Sequence, residues 1–208
     1  MTERPNSLRV LNGMPAVTAL NRKKTALLMI DFQMESFTGL LPAEETEKLA
    51  EKAVRLMDWA DRHKIKTLHM QRAARSPASP VYAPGSPGAA FHPDLAPRKK
   101  HEAYPHYGIS PFSGTLLHGL LQAAGIDTLI LAGLTTPLSV AAAAFDAFSL
   151  GYSCLIAADA TASRDLPSWN GDGTVSAGQL QECALAALAD RCAQVMTCAD
   201  LTALPFDA

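Results

Sequence analysis

The sequence predicts an α/β fold, a three-layer sandwich in which helices cover both faces of a parallel β-sheet. Short apolar segments alternate along the chain with longer segments whose apolar residues recur every three or four positions, the patterns of buried strands and amphipathic helices. Strands that are joined through helices pair in parallel and are buried on both faces. A chain of 208 residues, 48% of them hydrophobic, is most simply one domain spanning 1–208.

The first half of the chain contains two predicted strands, one helix and one long loop. Residues 1–22 form an N-terminal arm, and the apolar segment TALLMI at 25–30 predicts the first strand. Apolar residues at helical spacing among Glu and Lys predict an amphipathic helix over 42–63, and a second strand follows at 65–71. Residues 72–100 contain six prolines, so we expect irregular structure that forms a lid over a site or an interface rather than a linker.

The second half alternates strands and helices more closely. Its predicted elements are a short strand near 102–106, a helix at 111–124, a strand at 128–132, a helix at 137–150, a strand at 152–158, a loop at 163–174, a helix at 176–190 and a last strand near 194–197. No internal repeat or long low-complexity tract interrupts this order.

Three polar residues are expected at one edge of this sheet, beyond the carboxyl ends of the strands. Asp31 ends the first strand, Gln71 ends the second, and Ser139 follows a later one. Thr135 or Thr136 can cap the helix after that later strand, which places Ser139 in its first turn, where unpaired N–H groups favour an anion. Ligands of open parallel sheets bind in the crevice at this edge. The sequence therefore predicts a small-molecule site with Ser139 as a candidate nucleophile.

Charge and hydropathy argue against several classes of partner. The formal net charge is −2, from 18 Lys+Arg and 20 Asp+Glu, which gives no electrostatic reason to expect nucleic acid or an anionic membrane surface. No apolar run approaches the ~20 residues that span a bilayer, and the first residues lack the apolar stretch of a signal peptide, so we expect a cytoplasmic protein. The four cysteines form no CxxC pair and are expected to be buried free thiols.

Several segments, in order along 11–197, together resemble the isochorismatase-like hydrolases, also called the cysteine hydrolase family. These segments are TALLMIDFQ, PGSPGAAFHPDLAP, SPFSGTLL, GIDTLILAGLTT, AAAAFDAFSLGYSCLIAADATASRDLP and ALAALADR. The resemblance implies a Rossmann-like sheet of about six parallel strands and a small-molecule substrate. It also implies a homo-oligomer, a dimer or tetramer, in which loops of neighbouring subunits help to close the site.

The resemblance further implies a catalytic set, of which this chain keeps one residue and changes two. Hydrolytic members use an Asp at the end of the first strand, a Lys before the SxF segment, and a Cys at the start of the helix after the AGxTT turn. Asp31 matches the Asp and Ser139 takes the Cys position, while counting back from the SPF segment places His106 at the Lys position. Lys99 or Lys100 would reach that position only with a gap of several residues.

Other residues are expected to contact the substrate around this set. The peptide that corresponds to Leu134–Thr135 is often cis in the family, so that backbone N–H groups of the turn at Thr135 and Thr136 point at an oxyanion. Gln71 stands where the branch that cleaves isochorismate also has a Gln, and Phe37 is a candidate for an apolar wall of the pocket.

Three functions are consistent with these residues. In the first, Asp31 orients His106, which acts as base for Ser139, because a serine hydroxyl needs a base within hydrogen-bond reach. This Ser-His-Asp arrangement would hydrolyse an amide, N-carbamoyl or related C–N bond. In the second, Asp31 is a general acid that cleaves a vinyl ether, although that branch carries GVYAH where this chain has GLTTP. In the third, catalysis is lost and the protein binds a ligand or serves assembly.

No metal or organic cofactor is expected. The nicotinamidases of the family bind zinc through one Asp and two His after the second strand, where this chain reads HMQRAARSP. The sequence contains neither a GxGxxG segment after a strand nor a Walker loop, so it gives no indication of a nucleotide cofactor.

Overall fold

Six parallel strands form the central sheet of the computed structural model, which describes residues 6–207. In chain order, the eight strands of the described residues are β1 (Thr25–Ile30), β2 (Lys66–Arg72), β3 (Glu102–His106), β4 (Thr128–Leu134), β5 (Ser153–Ala162), β6 (Leu166–Pro167), β7 (Thr174–Val175) and β8 (Ala193–Met196). The sheet has the order β3-β2-β1-β4-β5-β8, and β6 pairs with β7 in a separate antiparallel hairpin. The predicted parallel sheet is confirmed.

Helices cover both faces of this sheet, so the predicted three-layer sandwich is also confirmed. They are α1 (Leu8–Leu11), α2 (Thr46–His63), α3 (Leu117–Ala123), α4 (Ala141–Ser149), α5 (Ala177–Arg191) and α6 (Cys198–Thr202). In β1, Leu27 and Met29 pack in the cluster that includes α2 and α6, whereas Leu28 and Ile30 pack in the cluster that includes α3, α4 and α5. Because both faces are buried, every residue of β1 is apolar except its first.

Two helices begin later than the sequence pattern predicts. The helix expected over 42–63 starts at Thr46, because Glu45 has a left-handed backbone with φ of 50°. The helix expected over 111–124 is reduced to α3. Turns precede it, and Gly114 adopts a positive φ of 69° that a helix cannot contain.

The segment after β4 also differs from a regular helix. The helix predicted at 137–150 is π-helical over Thr136–Val140 and α-helical only from Ala141. The N–H of Val140 donates to the C=O of Thr135 at 3.3 Å, a contact five residues apart that widens the first turn. Downstream, β5 extends beyond the predicted strand at 152–158, and the hairpin of β6 and β7 replaces part of the predicted loop at 163–174.

The proline-rich segment 72–100 packs against the carboxyl edge of the sheet. It contains two single turns, at Pro87–Ala89 and Pro93–Leu95, and Leu95 is fully buried in the cluster under α2. Phe91 forms a bridge to Gln33, which follows β1. The segment therefore covers the region where the sequence places the site, while its role as a lid or an interface stays a prediction.

The N-terminal arm contacts β8, the strand at one side of the sheet. Val17 N–H donates to the side chain of Gln194 on β8 at 2.9 Å, and Leu20 forms a bridge to Phe206. Residues 1–5 of the predicted arm lie outside the described residues. In the part of the chain from 6 to 207, no helix is long and apolar enough to cross a membrane.

All four cysteines are free thiols, as predicted, but one of them is not buried. Cys154, Cys192 and Cys198 are buried, whereas Cys183 is exposed on α5. Burial raises the pKa of the Cys154 thiol to about 12, so this group is a poor nucleophile. It lies at the amino end of β5, opposite the edge to which Asp31 belongs.

Candidate active site

Asp31 lies directly after β1, where the chain leaves the sheet. Its backbone is left-handed, with φ of 54°, a conformation that Asp tolerates better than most residues. The N–H of Asp31 donates to the C=O of Met70 on β2 at 2.9 Å, which holds the residue at the carboxyl edge of the sheet. Asp31 is 1% exposed, so its carboxylate depends on protein groups for hydrogen bonds.

Ser139 reaches the same edge from the turn between β4 and α4. Gly133 lets the end of β4 approach β1 closely, since a Cβ there would lie 2.3 Å from the C=O oxygen of Ile30. The peptide bond Leu134–Thr135 is cis, as the resemblance implied. The π-helical turn Thr136–Val140 follows and carries Ser139 into the interior.

The carboxylate of Asp31 joins Ser139 to His106. Ser139 Oγ donates a hydrogen bond to Asp31 Oδ2 at 2.7 Å, and His106 Nε2 lies 2.7 Å from Asp31 Oδ1. His106 ends β3 and is fully buried, and Ser139 is 1% exposed. These three side chains, far apart in sequence, therefore form one buried polar cluster.

The order of these contacts differs from the predicted Ser-His-Asp arrangement. His106 was expected to stand between Ser139 and Asp31, but the ring contacts Asp31 with Nε2 and the C=O of Gly108 with Nδ1 at 3.1 Å. Both ring nitrogens of His106 are thereby engaged away from Ser139, and Asp31 accepts the hydrogen bond that the Ser139 hydroxyl donates. The expectation that His106 is the direct base for Ser139 is therefore wrong in this arrangement.

The two contacts of His106 indicate where the protons of its ring lie. A backbone C=O can only accept, so Nδ1 carries a proton toward Gly108. The remaining proton lies between Nε2 and Asp31 Oδ1, and when it rests on Nε2 the pair is an imidazolium and a carboxylate. His106 can thus place a positive charge beside Asp31, whereas Lys99 and Lys100 are exposed.

Arg72 is a member of the cluster that sequence reasoning missed. It ends β2, pairs in register with His106 on β3, and donates from Nη1 to Ser139 Oγ at 3.4 Å. The sequence offered one signal, because Arg72 directly follows Gln71 at the predicted strand end. Its side chain, rather than that of Gln71, makes the contact to Ser139.

Two further residues that the sequence did not single out hold Arg72 in place. Gln33 is fully buried, and its side chain accepts from the N–H of Arg72 at 2.8 Å and donates to the C=O of Arg72 at 2.9 Å. The guanidinium carbon of Arg72 lies 5.5 Å from the ring centre of Tyr82. Burial raises the pKa of the Tyr82 phenol, so this group keeps its proton.

The residues predicted to contact substrate are placed as follows. Gln71 donates from its side chain to the C=O of Ala89 at 2.9 Å, and Thr136 donates from Oγ1 to the C=O of Ala162 at 3.1 Å. The side chain of Leu134 is buried in the cluster under α2, and Thr135 is half-buried at the turn. The ring of Phe37 packs on the ring of His92. Neither threonine caps the following turn through its side chain, which corrects that expectation.

Within residues 6–207, no group of three or more His, Cys, Asp or Glu side chains is arranged to hold a metal ion. The chemistry that the site can perform with its own groups is proton transfer between a hydroxyl and a carboxylate. The guanidinium of Arg72 and the imidazole of His106 stand on either side of that pair.

Comparison with known proteins identifies the group to which this site belongs. Residues 25–200 match the model of the isochorismatase domain. The chain belongs to the isochorismatase family. This assignment confirms the family named from the sequence and the hydrolase class that it implied.

Several curated members of the isochorismatase family are similar to the chain. Maleamate amidohydrolase of Pseudomonas putida is 30% identical over 158 residues, which cover 68% of this chain and 74% of that protein. An uncharacterized isochorismatase family protein of Bacillus subtilis, YddQ, is 28% identical over 143 residues, 68% of this chain and 79% of that protein. A streptothricin hydrolase of Streptomyces noursei is 29% identical over 69% of this chain, which spans about half, 51%, of that protein.

Solved structures of the isochorismatase family share the fold over nearly the whole chain. An isochorismatase from Pseudomonas putida KT2440 superimposes with a TM-score of 0.88 at 27% identity, covering 95% of this chain and 99% of its own. A cysteine hydrolase from Pseudomonas syringae pv. phaseolicola has a TM-score of 0.84 at 22% identity over 97% of each chain, which shows the fold alone.

Proposed function

We propose that the protein hydrolyses the C–N bond of a small amide or N-carbamoyl compound, with Ser139 as nucleophile and Asp31 as its base. One observation carries the proposal: the Ser139 hydroxyl donates to Asp31 Oδ2 at 2.7 Å in a buried site. A serine becomes nucleophilic when a base takes its proton at the moment of attack, and Asp31 is the group in position to do so. Support also comes from similarity to maleamate amidohydrolase and streptothricin hydrolase, whose names describe hydrolytic enzymes.

The proposed reaction has two halves, and in each half Asp31 accepts one proton and then gives it back. In the first, the Ser139 proton passes to Asp31 while Oγ bonds to the substrate carbonyl carbon. The C–N bond then breaks, and the amine leaves with the proton that Asp31 holds. In the second, water attacks the acyl group and gives a proton to Asp31, and the C–Oγ bond breaks as this proton returns to Ser139.

We propose that His106 and Ser139 take the positions of the family lysine and cysteine. His106 fits the first position because its Nε2 lies 2.7 Å from Asp31, where a cation orients the carboxylate and opposes its negative charge. His106 is then a positioning residue that acts through Asp31. The turn at Thr135 and Thr136 is proposed to face the carbonyl oxygen, and Gln71, Phe37 and the backbone of Leu134 to border the substrate.

The test compares wild type with Asp31→Asn, Ser139→Ala and Ser139→Cys on amides, N-carbamoyl amino acids and isochorismate. We expect ammonia release by wild type and Ser139→Cys, and its loss in the other two variants. Intact-protein mass spectrometry after rapid quenching should show an acyl group on wild type. If Ser139→Ala keeps full activity while Asp31→Asn loses it, acid catalysis without a nucleophile replaces this proposal. No turnover by any variant would favour a ligand-binding role.

We further propose that the protein is a cytoplasmic homo-oligomer, a dimer or tetramer, without a nucleic-acid or membrane partner. The formal charge of −2 supports the last part. Light scattering on the purified full chain tests the oligomer, and a mass equal to one chain would contradict it.

A further inference from the structure

The guanidinium of Arg72 is built into the site at the nucleophile. The side-chain amide of Gln33 binds both the N–H and the C=O of Arg72. The same amide donates to the C=O of Ala89 at 2.7 Å, which links the end of β2 to the proline-rich segment. Arg72 Nη1 lies 3.4 Å from Ser139 Oγ. The side chain is half-buried, so its charge is only partly solvated.

Tyr82 forms the wall on which this guanidinium rests. Its ring centre is 5.5 Å from the guanidinium carbon, within the range of a cation–π contact, and its hydroxyl lies 3.4 Å from the Oγ of buried Ser36. A guanidinium held over an aromatic face keeps the edge of its fork free for a planar acceptor. Arg72 is thus oriented in advance of any ligand, at the end of the site where Ser139 lies.

No carboxylate oxygen within residues 6–207 lies within 4 Å of the guanidinium nitrogens of Arg72. The guanidinium instead contacts the hydroxyl of Ser139 at 3.4 Å. Arg98, by contrast, contacts Asp58 at 2.7 Å and Asp61 at 2.6 Å. A guanidinium has five N–H donors and pairs best with a carboxylate through two of them. The fork of a half-buried arginine without such a partner can pair with an anion from outside the chain.

We propose that Arg72 binds a carboxylate of the substrate, which makes the substrates small amides or N-carbamoyl compounds that also carry a carboxylate. This inference rests on the proposed function of Ser139 as nucleophile. The carboxylate would sit on Arg72 and the scissile carbonyl on Ser139, two groups only 3.4 Å apart, so a short chain of atoms joins them in one molecule.

The test pairs two substrates of one carbon skeleton, succinamic acid, which has one carboxylate and one amide, and succinamide, which has two amides. We expect wild type to prefer succinamic acid, and Arg72→Gln to lose roughly 100-fold in kcat/KM on it, mostly through KM, as for loss of a charge-assisted hydrogen-bond pair. On succinamide the loss in kcat/KM should be at least about tenfold smaller, because that substrate has no carboxylate to lose its partner. Equal losses on both substrates would mean that Arg72 acts on Ser139, and equal use of both by wild type would likewise overturn the proposal.

A matched control and a binding assay separate this inference from the proposed function. Arg75 is exposed in the same segment, and its guanidinium rests on Tyr107 at 5.2 Å, so Arg75→Gln removes an arginine without touching the site. Calorimetric titration with succinate should show binding to wild type, Arg75→Gln and Ser139→Ala, but not to Arg72→Gln. If succinate binding depends on Arg72 but no substrate is turned over, the proposed hydrolase function is refuted and the carboxylate site is retained. Succinate binding that survives Arg72→Gln would refute the carboxylate site.

Discussion

Acid should destabilise this protein through one buried histidine, His69 on β2. His69 is fully buried, its Nε2 lies 2.9 Å from Nδ1 of His101, and His101 Nε2 lies 2.9 Å from Asp61. Among residues 6–207, the other ring nitrogen of His69, Nδ1, has no hydrogen-bond partner. Burial, aided by the positive charges of His101 and Arg98, lowers the pKa of His69 from 6.5 to about 3. The folded protein therefore holds this ring neutral at pH values where the unfolded chain protonates it.

The size of the effect follows from the two pKa values. Between pH 6.5 and 3 the unfolded state binds one more proton than the folded state, so the free energy of unfolding falls as the pH falls. One pH unit inside that window costs about 1.4 kcal/mol. From pH 7 to pH 5, His69 should therefore remove about 2 kcal/mol of stability. Asp61 titrates in a lower window, because hydrogen bonds from His101 and Arg98 outweigh its burial and lower its carboxyl pKa below 3.8.

Urea unfolding at pH 7 and pH 5 measures this difference. The variant His69→Gln keeps an N–H that can donate toward His101 but cannot titrate, so it should lose about 2 kcal/mol less than wild type over the interval. His63→Gln, at the half-buried end of α2, controls for the loss of a histidine as such. In wild type, NMR resonances of the His69 ring should not shift above pH 5. The same pH dependence in wild type and His69→Gln would refute this account.

Three further changes have defined outcomes. Ser139→Cys should stay active and react with iodoacetamide at the new thiol, because a thiol of reference pKa about 8.5 passes its proton to Asp31 more readily than a hydroxyl does. Peptide mass spectrometry locates the modified residue. His106→Gln should lower kcat roughly 100-fold and His106→Lys less, as only lysine keeps a cation beside Asp31; equal kcat values would contradict this. Gly133→Ala should destabilise the fold by about 3 kcal/mol or more, because its Cβ would lie 2.3 Å from the C=O of Ile30, and unchanged thermal melting would refute the close approach.

The sheet and its helices could be predicted because burial on both faces leaves a simple mark in the sequence. Segments such as 25–30 are apolar without alternation, and helices such as α2 show an apolar stripe, so the types of these elements were predicted correctly. The short helices α1 and α6 and the hairpin of β6 and β7 were not predicted. Helix starts were not predicted correctly either, since a single left-handed residue such as Glu45 decides where α2 begins. The π-helical turn that carries Ser139 depends on a carbonyl contact to Thr135 that no local pattern announces.

Arg72 shows why part of the site could not be predicted. Its conformation depends on the amide of Gln33, 39 residues earlier, and on the ring of Tyr82 in an irregular segment. Each of these residues has an ordinary role when considered alone. Only the folded arrangement reveals that they hold one cation at the hydroxyl of Ser139.

The order Ser139, Asp31, His106 follows from the order of the strands. The sheet runs β3-β2-β1-β4, so His106 at the end of β3 and Ser139 after β4 belong to strands three spacings apart, about 14 Å at 4.8 Å per strand. Asp31 directly follows β1, which lies between them, and its side chain contacts both His106 and Ser139. A histidine at the end of β3 is therefore linked to Ser139 through Asp31. The strand order, which local sequence patterns do not encode, decides which member of the predicted set stands in the middle, where we propose that it serves as base.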